Sequence, residues 1–198
     1  MKRSLNIRKF GALAALLLFF GASHAQDPSK PLLLVATPEL EGGYHHTALL
    51  VAPVGNGHLG FILNRATRTR MGALFPDHPP SAKVTDPLYF GGPEEANAIF
   101  AVVRRDPGAP SLRLFDDFFV TASAQSVDRI IEETPDEARF FVGFVGWRPG
   151  ELAQEIASGF WYVGDPEASL VFRKDTSGMW DELVQRLGQR LSAFSAPR

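Results

Sequence analysis

Residues 138–161 constrain the fold more than any other part of the chain, because a long apolar segment is followed at once by a turn and a helix-like segment. At the two-residue period of a strand, this segment carries apolar side chains on both faces. They are Phe140, Val142 and Phe144 on one face and Phe141, Val145 and Trp147 on the other. A strand that is apolar on both faces must be covered on both, so a central strand is predicted here.

The turn after this strand carries the residues of a helix start. Pro149 suits a first helical position, because its fixed φ matches the helix and its missing N–H would have no partner there. Glu151 lies in the expected first turn, where a carboxylate meets the positive end of the helix dipole. Leu152 and Ile156 give the helix one apolar side, and Gly159 is predicted to end it.

The rest of the chain contains more predicted strands than helices. Strands are predicted at residues 32–36, 47–54, 58–64, 88–90, 98–103, 118–121, 161–163 and 169–172, and helices at 71–75, 126–133 and 178–191. The sequence Gly55-Asn56-Gly57 favours a hairpin turn. Residues 65–87 are polar and proline-bearing, which predicts a surface excursion. Because strands predominate and short hairpins join them, the predicted class is α+β rather than a doubly wound parallel sheet.

The first 25 residues have the order of regions that is typical of a secretory signal: a basic start, an apolar middle and the small residues of 22–25. We therefore predict a signal peptide at 1–25, a flexible leader at 26–31, one domain at 32–191 and a C-terminal tail at 192–198. The protein is then expected to be periplasmic or secreted. The alternative is a membrane anchor formed by an uncleaved N-terminus, although the apolar run is shorter than the roughly 20 residues that span a bilayer.

The charge balance of the expected mature chain is acidic. Four of the 20 Lys and Arg residues and none of the 22 Asp and Glu residues lie in the first 25 positions, so cleavage leaves 16 basic residues against 22 acidic ones. This balance disfavours nucleic acid as a partner. The chain has no Cys, which excludes thiol catalysis and cysteine metal sites. No stable membrane span is expected after cleavage.

Four stretches carry recognisable motifs in register. They are residues 34–38 with Tyr44 and Thr47, residues 60–65 (Gly-Phe-Ile-Leu-Asn-Arg), Gly91-Gly92-Pro93, and residues 146–152 (Gly-Trp-Arg-Pro-Gly-Glu-Leu) with Glu155 and Trp161. Together they resemble the YqgE/AlgH family of bacterial proteins. The resemblance implies a bent, bifurcated mixed sheet that forms a pseudo-barrel with helices outside. The family is labelled as a putative transcriptional regulator, from an association with control of alginate production, without a DNA-binding motif or a settled active site.

The chain departs from this family pattern at several positions. Family members usually begin directly at the first strand, whereas this chain carries an export signal, which disfavours a cytoplasmic regulatory role. Gly42-Gly43 stands where an Asp-Pro is common, and Ala66 stands where proline is frequent. Val103 stands where a histidine often ends the strand, so chemistry that depends on that histidine would be absent.

Seven motif residues form the candidate ligand- or partner-binding site: Asn64, Gly91, Gly92, Pro93, Gly146, Trp147 and Glu155. The Asn64 amide can bind a ligand or the backbone of the following loop. Trp147 can stack on a ligand or fill the core. Glu155 can act as a general base if it is desolvated, or as a capping or salt-bridging carboxylate. The Gly-Gly-Pro stretch can form an anion-binding nest or a tight turn. The structural alternative is favoured for each.

Two further groups of polar residues are given structural interpretations. His45 and His46 are adjacent in an extended segment, so they are expected to face opposite ways and not to share a metal ion. Arg65, Arg68 and Arg70 form a basic patch that is expected in a solvated loop. No catalytic residue, metal site or cofactor is predicted.

The leading hypothesis is a non-enzymatic domain that is exported to the periplasm. It is expected to bind an unidentified protein or small molecule through a crevice near Asn64, Gly91-Gly92-Pro93 and Gly146-Trp147. One alternative is the transcriptional regulator of the family's label, which requires the protein to stay in the cytoplasm. The other is a hydrolase of unknown substrate that uses Glu155 or a histidine.

Overall fold

The computed structural model describes residues 28–195, which form a mixed α+β domain. Its strands are β1 (Leu32–Ala36), β2 (Ala48–Val54), β3 (Gly57–Ile62), β4 (Ala66–Arg70), β5 (Pro87–Phe90), β6 (Glu94–Arg104), β7 (Leu112–Phe115), β8 (Phe118–Thr121), β9 (Ala138–Trp147) and β10 (Trp161–Gly164). Its α-helices are α1 (Met71–Leu74), α2 (Ala124–Glu133), α3 (Glu151–Ala157), α4 (Ala168–Val171) and α5 (Met179–Ser195). The predicted signal peptide at 1–25 lies outside the described residues, as do residues 26–27 and 196–198.

The ten strands form one curled sheet, a half-barrel that forks at β9. The main path runs β10-β1-β2-β3-β9-β6-β8-β7, with β4 and β5 paired beside it. β9 pairs antiparallel with β6 and β3, and in parallel with β5. Because a strand has only two edges, β3 and β5 share the edge of β9 that faces away from β6. The structure thus confirms both the bifurcated mixed sheet and the central position of β9.

The core lies on both sides of the curled sheet. The largest apolar cluster fills its interior, where Phe61 and Phe141 pack with Leu183 of α5. A second cluster lies on the outer face of β1, β2 and β3 and includes Leu152 of α3. A third cluster lies beneath α2, whose predicted inner face is confirmed by the burial of Val127, Ile130 and Ile131. Among the described residues, no helix is both long and apolar enough to cross a membrane.

The alternation of side chains along β9 reverses at Gly143. This residue has a φ of +66°, and the register of β9 with β6 shifts at the same place. Phe141 packs in the interior cluster, and so does Phe144, three residues further on. The side chains that pack in the two outer clusters are Phe140, Val142, Val145 and Trp147. The prediction that Phe144 shares a face with Phe140 and Val142 is therefore wrong, because a positive-φ glycine inverts the pleat.

Gly91 and Gly92 lie where β3, β5 and β9 meet. The N–H of Gly91 donates to the carbonyl of Val142 at 2.8 Å, and its own carbonyl accepts from the N–H of Ile62 at 3.0 Å. A Cβ atom on Gly91 would lie against the carbonyl oxygen of Gly143. One on Gly92 would lie against the peptide group that joins Phe144 to Val145. Both approaches would be closer than the 3.0 Å that real Cβ atoms respect. Glycine is thus required for the close crossing of these chain segments.

Two predictions of local structure are wrong, and two strands, β4 and β7, are not predicted. The sequence predicts a strand at 169–172, whereas residues 168–171 form α4, because a short apolar run cannot distinguish the two by periodicity. Leu170 and Val171 are buried from this helical turn. β4 lies inside the predicted surface excursion, and β7 is not predicted at all. Pro149 is not a first helical residue, because α3 begins at Glu151 after Gly150, which has a φ of +84°.

The other predicted elements are present, with shifted ends. A two-residue turn at Gly55-Asn56 joins β2 to β3, which confirms the hairpin. Gly159 has a φ of +77° just beyond α3, as expected for a helix end. α5 continues to Ser195, four residues beyond its predicted end, because no glycine or proline interrupts residues 189–195.

Candidate functional site

Glu155 on α3 accepts a hydrogen bond from each of two tryptophans. Trp147 Nε1 and Trp161 Nε1 both donate to Oε2 of Glu155, each at 2.9 Å. Trp147 ends β9 and Trp161 begins β10, and both side chains are buried. The carboxylate therefore fastens α3 to two strands. The sequence predicts a capping or salt-bridging role for Glu155, and the structure instead shows an acceptor for two indoles.

Tyr44 lies beside this arrangement, with its ring edge-on to Trp161 at a centroid distance of 6.1 Å. Burial raises the pKa of the Tyr44 phenol above its ordinary value, and the carboxylates of Glu155 and Glu94 raise it further. The guanidinium of Arg65 acts in the opposite direction. These charged groups come from separate motif stretches of the sequence, so the fold brings the motifs together around Tyr44.

The carboxamide of Asn64 holds the start of β2. Its Oδ1 accepts from the N–H of Ala48 at 3.0 Å, and its Nδ2 donates to the carbonyl of His46 at 2.9 Å. The side chain thus extends the β2–β3 ladder beyond its last strand residue, with the donor and acceptor pattern of a peptide group. The bonded backbone groups precede Asn64 by 16 and 18 positions. The predicted partner, the backbone of the loop after Asn64, is therefore wrong.

Arg65 is a half-buried cation next to Asn64. Its Nη2 donates to the carbonyl of His45 at 3.2 Å, and its own carbonyl accepts from the N–H of Phe90 at 2.8 Å. Burial lowers the pKa of the guanidinium, while the phenol of Tyr44 acts in the opposite direction. Within residues 28–195, no carboxylate lies within 4.0 Å of Arg65. Its charge is therefore partly desolvated without an acidic partner.

A cleft of about 690 Å³ opens between the β4–β5 pair and the connection from α4 to α5. Asn64, Arg65 and Tyr89 line it from the sheet, and residues 174–177 line it from the connection. Small-molecule sites in proteins commonly have volumes of about 300–1,000 Å³, so the cleft is large enough for a ligand.

The other charged groups of the cleft are already engaged. Lys174 Nζ donates to both carboxylate oxygens of Asp86 at 2.8 Å. The carboxylate of Asp175 accepts from the hydroxyl of Ser177 at 2.5 Å and from its N–H at 2.9 Å, and these bonds hold the pKa of Asp175 below its ordinary value. Arg65 is consequently the cation of the cleft whose charge is not compensated by an ion pair with any described residue.

The seven predicted site residues are contiguous in space but do not all face a cleft. Gly91 and Gly92 are buried in the backbone crossing, and Trp147 is buried against Glu155. Pro93 and Gly146 are exposed, and a Cβ on Gly146 would lie 3.7 Å from Glu94. Of the seven, Asn64 is the one that lines the cleft described above.

His45 and His46 do not face opposite ways. Their rings stack at a centroid distance of 3.6 Å, and the ring of His46 also contacts Trp180 of α5, tilted by 32° at a centroid distance of 3.8 Å. The prediction is wrong because His46 has a φ of +56°, so the segment is not extended there. The indole of Trp180 is itself fixed by a 2.8 Å hydrogen bond to the carbonyl of Ala36.

Sequence reasoning missed Arg139, a fully buried cation near the cleft. Its guanidinium lies 4.3 Å from the ring centroid of Tyr89, Nη2 donates to the carbonyl of Arg173 at 2.6 Å, and Asp86 is 3.9 Å away. Burial lowers the pKa of Arg139, and the charges of Tyr89 and Asp86 oppose that effect. A sequence signal was present, since one arginine interrupts the apolar run of β9.

Comparison with protein families gives a match over nearly the whole described domain. The sequence model of the family described as DUF179, AlgH-like, matches residues 33–192. A UPF0301 protein of Chlorobium limicola is 31% identical over 169 residues, which cover 81% of this chain and 87% of that protein. A UPF0301 protein of Chlamydia trachomatis serovar A is 29% identical over 177 residues, which cover 84% and 90%.

Two solved structures share the fold. A crystal structure of a Corynebacterium diphtheriae protein aligns with a TM-score of 0.68 at 24% identity, covering 86% of this chain and 93% of that one. The solution structure of the AlgH protein from Pseudomonas aeruginosa aligns with a TM-score of 0.68 at 19% identity, covering 85% and 93%. At these identities the likeness concerns the fold alone.

Proposed function

The chain belongs to the AlgH-like family, and we propose that it is an exported, non-enzymatic binding domain for a small anionic ligand. The ligand occupies the cleft between the β4–β5 pair and the α4–α5 connection. A carboxylate or a phosphate is the chemical group that this cleft recognises. The protein acts in the periplasm.

The proposal rests on the burial of Arg65 and on its lack of an acidic partner among the described residues. Its guanidinium lines the cleft, is half-buried, and has no carboxylate of residues 28–195 within 4.0 Å. A partly desolvated guanidinium without an acidic partner favours an anion that accepts hydrogen bonds from its planar donors. The side chain of Thr176 supplies a hydroxyl group in the same cleft, and a hydroxyl can donate to an anionic oxygen.

The position of Glu155 supports binding rather than hydrolysis. A general base must lie within hydrogen-bond reach of the proton that it removes, and Glu155 does not line the cleft. One oxygen of Glu155 already accepts from two indole N–H groups, and both donors are buried side chains.

Export is supported by the basic, apolar and small-residue regions of residues 1–25. Cell fractionation followed by amino-terminal sequencing of the mature chain tests this part of the proposal. We expect the protein in the periplasmic fraction, with a sequence that begins near Gln26. Recovery in the cytoplasm with residues 1–25 intact would refute export and leave the binding proposal to its own test.

Ligand binding is tested by thermal shift and calorimetry at constant ionic strength. The probes are inorganic phosphate, citrate and glucose 1-phosphate, with glucose as the uncharged comparison. We expect at least one anion to raise the melting temperature of the wild type and glucose to have no effect. Arg65→Gln should abolish the response. Arg68→Gln, which changes an exposed arginine of β4 three positions after Arg65, is the matched control and should retain it. Equal responses of the two variants would refute the proposed site.

A further inference from the structure

We propose that His78, Asp128 and Glu132 form a binding site for a divalent transition-metal ion, of which Zn²⁺ is the representative. Asp128 and Glu132 are four residues apart on α2, so their side chains project from the same face of the helix. His78 reaches them from the segment that precedes the 3₁₀ helix Pro79–Lys83. One ligand atom from each of the three lies within 4.8 Å of the other two.

The separations between these atoms match those of a metal site. His78 Nε2 lies 3.3 Å from Asp128 Oδ1 and 3.8 Å from Glu132 Oε1. Zinc bonds to imidazole nitrogen and carboxylate oxygen are about 2.0–2.2 Å long, which places tetrahedral ligand atoms about 3.4 Å apart. The carboxylate side chains are 59% and 52% exposed, so they can adjust to an ion without disturbing the core. A fourth position remains for water, as in open zinc sites.

The imidazole of His78 is oriented as a metal ligand. Its Nδ1 lies 2.8 Å from the hydroxyl of Ser81, which is fully buried. A bond from the second ring nitrogen to a buried partner fixes the orientation of the ring, as in metal sites. With Nδ1 as the donor to Ser81, the lone pair of Nε2 is directed at the two carboxylates.

Nε2 of His78 faces both carboxylates at distances that a shared metal ion can bridge. Nε2 is shielded from solvent and makes no hydrogen bond with any described residue, although Asp128 Oδ1 is only 3.3 Å away. A lone pair and two carboxylates that face one another repel, and a divalent cation between them removes that repulsion.

A bound ion would strengthen the contact between two parts of the domain that already pack against each other. The loop that carries His78 belongs to the excursion between β4 and β5, and α2 covers the outer face beneath it. Metal binding to the folded form only should therefore raise the thermal stability of the whole domain. The three residues do not line the anion cleft, so this site does not depend on the proposed function.

The test is calorimetric titration of the chelator-treated full-length protein with ZnCl₂, together with thermal unfolding. We expect one Zn²⁺ per chain and a rise in melting temperature of about 4 °C or more at a hundredfold excess over Kd. Asp128→Asn and Glu132→Gln should each weaken binding about tenfold or more, and His78→Gln should abolish it. The two helix variants change exposed side chains, so both are expected to fold, and circular dichroism checks this independently.

The matched control is the double variant His45→Gln, His46→Gln, which removes the exposed stacked imidazoles elsewhere on the domain. This variant should bind Zn²⁺ as the wild type does. Binding that is lost in the control and retained in Asp128→Asn would refute the site. So would the absence of binding to a wild-type protein that is folded.

Discussion

The indole of Trp147 and the carboxylate of Glu155 are joined by a 2.9 Å hydrogen bond across the turn that connects β9 to α3. The same carboxylate oxygen accepts from Trp161 at the start of the next strand. One side chain thus holds both ends of the strand–turn–helix–strand unit. The residues of this family motif therefore stabilise one another, and Glu155 is the acceptor for both tryptophans.

Removal of this acceptor should destabilise the domain. Glu155→Ala leaves two indole N–H groups without their partner, and each unsatisfied buried donor costs about 1–3 kcal/mol. We expect a loss of about 2–4 kcal/mol in the free energy of unfolding, measured by urea denaturation, and a smaller loss for Glu155→Gln, which keeps an acceptor oxygen. Glu151→Ala is the control on the same helix, where an exposed carboxylate accepts only from the N–H of Arg148. Equal losses for the two alanine variants would contradict the assignment.

The backbone crossing at Gly92 should not tolerate a methyl group. A Cβ there would overlap the peptide that joins Phe144 to Val145, and neither backbone can move without breaking the fork of the sheet. We expect Gly92→Ala to lower the free energy of unfolding by more than about 3 kcal/mol or to prevent folding. Gly43→Ala, at an exposed position with open space around its Cα, should change stability by less than about 0.5 kcal/mol. A Gly92→Ala protein as stable as the wild type would contradict the close crossing.

The central strand and its cover could be predicted because the information is local. The apolar pattern of residues 138–147 shows burial on both faces whatever the partners are. The reversal at Gly143 could not be predicted, since the glycine permits a positive φ but does not require it. Its conformation is fixed by Gly92 and Glu94, whose carbonyl oxygens occupy the place where a Cβ would lie. These residues are about 50 positions away in the sequence.

Prediction of the candidate site from the sequence is limited in the same way. Asn64 and Glu155 could be selected because each belongs to a motif, but their partners are set by the fold. The cleft joins β4, an exposed and polar strand without a recognisable pattern, to a loop more than 100 residues later. The sequence therefore predicts Arg65 as one member of a solvated basic patch, whereas the fold partly buries Arg65 and leaves Arg68 exposed.

Asn64 provides a test of the side-chain ladder at the start of β2. Asn64→Ala removes one donor and one acceptor and should lower the free energy of unfolding by about 1–3 kcal/mol. Asn64→Asp should lower it at least as much, because its carboxylate cannot donate to the carbonyl of His46 and is repelled by it. Denaturant unfolding measures both losses, and Asn97→Ala, at an exposed position of β6, is the control. If the variants lose the ligand response without losing stability, Asn64 binds the ligand and does not stabilise the start of β2.

The ionisation of Tyr44 should make stability depend on alkaline pH. The folded-state pKa of Tyr44 is raised above 10.0, so the folded protein binds this proton more tightly than the unfolded chain does. The resulting stabilisation is complete below pH 10 and is lost as the pH rises from 10 through the folded-state pKa. We expect Tyr44→Phe to flatten this part of the stability profile, measured by urea denaturation between pH 9 and pH 11. Because Arg65 lowers this pKa, Arg65→Gln should move the tyrosinate absorbance change to still higher pH.

Arg139 tests whether a buried charge in β9 is needed for stability. Its Nε and Nη1 have no hydrogen-bond partner among the described residues, and Asp86 at 3.9 Å is already paired with Lys174. Removal of a poorly compensated buried charge in favour of an apolar side chain of similar volume is often neutral or stabilising. We therefore expect Arg139→Met to lie within about 1 kcal/mol of the wild type or above it.

The charge and the shape of Arg139 can be separated with two further variants. Arg139→Ala should lose about 2–4 kcal/mol through the cavity it leaves beside Tyr89. Arg139→Lys keeps the charge but cannot stack its planar group on the ring, so it should be less stable than Arg139→Met. The free energies of unfolding of the three proteins decide between packing and charge. A large loss of unfolding free energy for Arg139→Met with little loss for Arg139→Lys would contradict the prediction. It would show that the stability of β9 depends on a buried cation.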